Sequence, residues 1–139
     1  MRFLITGDAL LIGARMHSSN PGAIRPLVGR RDSGMPTEEL FVSFDTRRDR
    51  VTAYSFSITP GGTRGDVFHS SDNLGSQDES WDPVWEVHTA IDSGGWTAEV
   101  RIPLTQLRFD AGDDQIWGVN MIRTVPTRNE TSYWALVGR

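Results

Sequence analysis

The chain has 139 residues, 37% apolar and 23% charged, with a formal net charge of -4 and no cysteine. That is the size and balance of one globular domain, and it excludes a disulfide scaffold, a thiol nucleophile and a cysteine-ligated zinc site. No run approaches the ~18 apolar residues of a membrane helix, and an acidic chain lacks the clustered positive charge that a nucleic-acid surface needs.

In chain order, Met1-Arg2-Phe3-Leu4-Ile5-Thr6 starts like a signal peptide, but Gly7 and Asp8 interrupt it and no cleavage site follows. The segment reads as a strand. Pro21 to Val28 has room for one helical turn, which Pro26 limits. Arg25, Arg30 and Arg31, then Arg47, Arg48 and Arg50, are interleaved with Asp32, Asp45 and Asp49 and read as solvated turn charges. From residue 40 onward the apolar period is two. Leu40, Val42 and Phe44 alternate with Phe41, Ser43 and Asp45; Tyr54, Phe56 and Ile58 alternate with Ala53, Ser55 and Ser57. The same pattern recurs at Trp85 and Val87, at Trp96 to Ile102, and at Trp117 to Met121. Such alternation marks strands with one buried face.

Turn residues punctuate these runs. Asp45 to Arg50 and Asp92-Ser93-Gly94-Gly95 read as hairpin turns, and Pro60-Gly61-Gly62 closes a strand. Pro103 to Leu107 reads as a short helical turn. The expected fold is all-β with little helix: a two-sheet antiparallel, jelly-roll-like β-sandwich spanning residues 1–139 as a single domain. It should have roughly eight to ten strands, with Phe44, Phe56, Trp85, Val100 and Trp117 in the core.

Catalytic motifs are missing. There is no G-x-S-x-G and no H-E-x-x-H, and His17, His69 and His88 are scattered. Asp66, His69, Asp72, Asp78, Glu79 and Asp82 crowd residues 66–82. Oxygen ligands on a loop suit calcium, so Asp66, Asp72 and Asp78 are its candidate ligands, against the plainer reading of a solvated acidic loop. Glu86 and Glu99 fall on outward phases, where carboxylates are solubilising. The 5 tryptophans against 2 tyrosines are the most suggestive feature. Trp85, Trp96 and Trp117 fall on buried phases. Trp81, at a loop-to-strand boundary, suits core packing and sugar stacking equally, and Trp134 suits the core better.

Several ordered blocks carry a resemblance. They are Asn20-Pro21 to Arg30-Arg31-Asp32-Ser33, Leu40 to Thr46, Ala53 to Phe56, Trp81-Asp82-Pro83-Val84-Trp85-Glu86, Gly95 to Leu104 with Leu107-Arg108-Phe109, and Trp117 to Asn120 with Arg123. Together they resemble the family 9 carbohydrate-binding-module-like (DOMON-like) domain of bacterial envelope proteins, in which a membrane β-barrel-like region follows. The resemblance implies a β-sandwich, export to the periplasm or cell surface, and calcium. Sugar-binding members clamp their ligand between two aromatic rings. Here Arg30 and Arg31 stand near the place of the first, and Trp134 near that of the second.

The functional expectation is a non-catalytic module that binds carbohydrate or a polyol weakly, through Trp81, Arg30, Arg31 and Trp134. The two arginines would favour an acidic sugar. One alternative is a docking module of a larger outer-membrane protein. Another is a small glycoside or ester hydrolase using Glu38, Glu39, Glu86 or His69. Neither nucleic acid nor a membrane is an expected partner, and an unpaired sheet edge would drive self-association.

Overall fold

The computed structural model describes residues 1–71, 76–112 and 114–135. Among them are ten strands: β1 (Arg2–Ile5), β2 (Ala9–His17), β3 (Glu39–Asp45), β4 (Ala53–Ile58), β5 (Arg64–His69), β6 (Gln77–Asp78), β7 (Glu86–Asp92), β8 (Gly95–Pro103), β9 (Gly118–Val125) and β10 (Glu130–Tyr133). They form a four-stranded sheet in the order β1-β2-β8-β7 and a six-stranded sheet in the order β10-β9-β3-β4-β5-β6. Neighbours in both pair antiparallel. The expected all-β sandwich is what forms.

Local chemistry fixes the hairpins. At the β3–β4 turn the Asp45 carboxylate accepts the Asp49 and Arg50 N–H groups at 3.1 and 2.9 Å. Asp49 in turn accepts those of Val51 and Thr52 at 2.8 and 2.7 Å. These bonds hold a turn in which Arg48 and Arg50 both adopt positive φ. At the β7–β8 turn Gly95 has φ +134°, and a Cβ there would lie 2.0 Å from the Met16 carbonyl oxygen. Only glycine lets β8 start so close to β2. Short 3-10 turns occur at Pro21–Ala23 and Leu104–Gln106, where single turns are expected, and at Pro126–Arg128.

The inward phases build the core. Leu10, Ile12 and Met16 with Trp96, Val100 and Ile102 face Leu40, Val42, Phe44, Tyr54, Phe56 and Ile58. Phe56 packs edge-on against both Phe44 and Trp85. Trp117 is only partly buried: it lies at the margin, just before β9, against Phe44 and Phe109.

Two polar knots cross the sandwich. The buried Glu38 carboxylate accepts the Trp96 indole N–H at 2.9 Å and an Arg123 N–H at 2.7 Å, while Arg123 also donates to the His17 carbonyl at 2.8 Å. On the other side Asp66 accepts the Trp85 indole N–H at 3.0 Å and the Arg31 Nε–H at 2.7 Å. Each knot satisfies a buried indole; one ties Trp96 of β8 to Arg123 of β9 through Glu38, and the other ties Trp85, just before β7, to Asp66 of β5.

Candidate functional site

Because side chains alternate, the six-stranded sheet has a second face, turned away from the core. One row on it crosses five strands: Tyr133, Ile122, Phe41, Ser57 and Gly65, from β10 to β5. Glu39, Thr124 and Thr131 form a row beside it, and Ser43 and Ser55 a row on the other side. These rows line a groove of about 560 Å3, rimmed by Asp32, Gln77 and Glu79. At Gly65 a Cβ would come within 2.6 Å of the Ser57 Oγ and 3.3 Å of the Asp32 Oδ1, so the bare backbone keeps the groove floor open there.

The groove is apolar at one end and hydrogen-bonding at the other. Phe41, Ile122 and Tyr133 supply the apolar end. At the polar end the hydroxyls of Ser43 and Ser55 lie 2.7 Å apart, and Ser55 Oγ lies 2.9 Å from His69 Nε2. Burial holds the His69 imidazole below its ordinary value, so the ring is neutral at pH 7. Burial pushes the Glu39 carboxyl up, and the hydrogen bond from the Ser57 hydroxyl opposes this. Among the described residues no arginine or histidine forms an ion pair with Glu39. A partly desolvated carboxylate, neutral imidazole and hydroxyls beside aromatic rings are groups that can bind a polyol: the rings take its apolar face and the polar atoms its hydroxyls.

The outer face of the four-stranded sheet holds a second concavity, of about 540 Å3, between Leu4, Leu11, Gly13, His88 and Glu99. Its charges are solvated or paired locally, as Arg101 is with Asp8 at 2.6 Å. Among the described residues it carries no half-buried polar network.

No family model and no curated protein matches the sequence. Among solved structures, a family 9 carbohydrate-binding module from Caldicellulosiruptor kristjanssonii, in complex with cellotriose, superposes with a TM-score of 0.59. The fold is similar to that of a family 9 module. The likeness covers 94% of this chain at 12% identity, and the chain spans 60% of that protein's length. At such identity the likeness to the family 9 module is one of fold.

The groove is not built from the residues that the sequence reading named as its ligands. Arg31 turns inward: besides Asp66 it donates to the Pro83 carbonyl at 2.6 Å and pairs with Asp82. Arg30 is exposed on the preceding loop and does not line the groove. Trp81 is partly buried and packs on Tyr54 and Phe56 at 4.9 and 5.6 Å, on the core side of β4. Trp134 is 75% exposed, which corrects the core reading for it; its neighbour Tyr133 is the ring that lines the groove.

Two of the three candidate metal ligands are engaged by other groups of the protein. Asp66 is held by Arg31 and Trp85, and Asp78 by the Ser80 N–H and hydroxyl at 2.9 and 2.6 Å. Asp72 lies outside the described residues. Among the described residues no three His, Asp or Glu side chains are grouped as metal ligands. Of the hydrolase candidates, Glu38 is committed to its knot, and Glu86 is exposed on the other sheet opposite Arg101. Glu39 and His69 do line the groove. The sequence reading missed Phe41, Ile122 and Tyr133 as ligand contacts. The available signal was an aromatic, Phe41, on the outward phase of a strand whose inward phase was already apolar.

Proposed function

We propose that this chain is a non-catalytic carbohydrate-binding domain whose ligand lies in the groove on the outer face of the six-stranded sheet. The observation that carries the reading is the row Tyr133-Ile122-Phe41-Ser57-Gly65, which places an apolar platform directly beside hydroxyl, imidazole and carboxylate groups. The fold likeness to a module solved with cellotriose supports it. The groove is open and has two rings, Phe41 and Tyr133, so affinity is modest, on the order of 1 mM, about -4 kcal/mol. Calorimetric or NMR titration with a panel of oligosaccharides tests this. Saturable binding that Phe41→Ala weakens about tenfold is the expected result. No binding of any sugar at several times ~1 mM would overturn it. The periplasmic or surface location implied by the resemblance belongs to the same proposal, and fractionation of cells expressing the natural gene tests it.

The Ser55–His69 hydrogen bond favours a second reading, a hydrolase. The geometry weighs against it. Ser55 is 6% exposed and already held by Ser43, and it lies on β4, a strand paired on both sides. The backbone N–H groups of such a strand are used by the ladder, so none converges on a developing oxyanion. Turnover of chromogenic esters or glycosides that is abolished by Ser55→Ala or His69→Ala would reinstate the hydrolase.

A further inference from the structure

We propose that the groove selects a cationic sugar, an amino sugar with a free, protonated amine, and that Glu39 pairs with that amine. This rests on the carbohydrate reading and names the ligand class within it. It also reverses the acidic sugar that Arg30 and Arg31 suggest in the sequence.

The argument starts from where the cations go. The sequence contains no lysine, so every cationic side chain apart from histidine is an arginine. On the six-stranded sheet, Arg64 pairs in register with Ile58 and Arg123 with Leu40, both inward positions. Their guanidinium groups are spent there, Arg64 on the Trp85 carbonyl and Arg123 on Glu38 and the His17 carbonyl. Arg31 is spent on Asp66, Asp82 and the Pro83 carbonyl. Among the described residues no arginine lines the groove.

Two carboxylates, Glu38 and Asp66, meet these arginines inside; others are on the groove side. Asp32, Glu39 and Glu79 line the groove. Asp32 is partly compensated: its Oδ1 accepts the Asp66 N–H at 2.9 Å, and its Oδ2 lies 3.9 Å from Arg31 Nε. Glu79 is exposed to solvent. Glu39 is the half-buried member, hydrogen-bonded to the Ser57 hydroxyl, with no counter-charge among the described residues. His69 does not supply one, because its ring is neutral at pH 7.

A carboxylate that has lost part of its hydration and gained no cation is best satisfied by a ligand that brings one. An ammonium on a sugar ring does so at short range with a charge-assisted hydrogen bond, about twice as strong as a neutral one. The ring's hydroxyls and apolar face still meet Ser57, Thr124, Phe41 and Tyr133. A uronic acid would instead add negative charge to a groove that is already negative.

Calorimetric titration of the whole chain with a β-1,4-linked glucosamine trisaccharide and with cellotriose tests the proposal. The two share a backbone and differ in the 2-substituent. At pH 7, where the His69 ring is neutral and the amine still carries much of its proton, the glucosamine trisaccharide should bind about tenfold tighter. That preference should shrink with added salt and disappear in Glu39→Gln, whose fold is checked by circular dichroism. Equal affinities, or a preference that survives both salt and Glu39→Gln, overturn the cationic class while leaving the carbohydrate reading standing. If neither trisaccharide nor any other sugar binds, the carbohydrate reading itself fails, and this inference with it.

Discussion

At the residue scale, two tryptophans in one small core each need an acceptor for an indole N–H, and each finds a carboxylate that an arginine neutralises. Removing one partner of such a knot leaves the other buried and unpaired. Arg123→Met should therefore cost about 2–3 kcal/mol in urea unfolding, discounted from the roughly 3–5 of a fully buried pair because part of Arg123 is exposed. Adding Glu38→Met should cost much less than a second independent loss. Strict additivity of the two single costs would show that the residues do not act together. These knots explain why site residues were hard to read from sequence. Arg31 and Asp66 have the residue types of a ligand site and of a metal site, and only the fold shows that they pair with one another.

A different residue contributes to the acid limb. Asp92 is held at about 2, below its ordinary 3.8, first by its hydrogen bonds from Arg15 and then by the Gly94 N–H. A carboxyl depressed in the folded state stabilises above its unfolded pKa and loses that contribution as pH falls through the folded one. Stability should therefore decline between about pH 4 and pH 2, and Asp92→Asn should flatten that decline. An unchanged slope in Asp92→Asn, followed by denaturant midpoints across that range, would contradict the assignment.

At the element scale, the period-two runs and the Asp and Gly turn residues made most strands legible. Phases were legible too: Leu40, Val42 and Phe44 point inward as their alternation requires. The two-residue β6 was not, because Gln77-Asp78 is too short to show a period. Nor could periodicity say that an outward face is a groove, since that depends on neighbours in register, such as Ile122 and Tyr133 beside Phe41, which lie far apart in sequence. Backbone demands at two glycines give a contrasting pair of predictions. Gly95→Ala meets both a positive φ and the Met16 carbonyl, and should cost about 3 kcal/mol or prevent folding. Gly13→Ala, whose Cβ would meet nothing within 4 Å, should be neutral or stabilise by up to about 1 kcal/mol. Melting temperatures of the two variants check this, and equal costs would contradict the close approach of β8 to β2.

At the scale of the whole molecule, the sandwich sorts charge. The arginines of the six-stranded sheet serve the space between the sheets, and its outer face is left with carboxylates, hydroxyls and rings. The four-stranded sheet ends in β1, with Phe3, Leu4 and Ile5 exposed along an open edge, and its outer face mixes both signs of charge. The asymmetry between the two outer faces makes the central claim local: a sugar should be felt on one face and not on the other. The most direct measurement is a backbone amide NMR titration with cellotriose and the glucosamine trisaccharide. The account predicts saturable shifts at Phe41, Ser57, Gly65, Ile122 and Tyr133, with Gly13, His88 and Glu99 unmoved. Shifts confined to the face of β2 and β8, or no shifts at several times ~1 mM sugar, would contradict it.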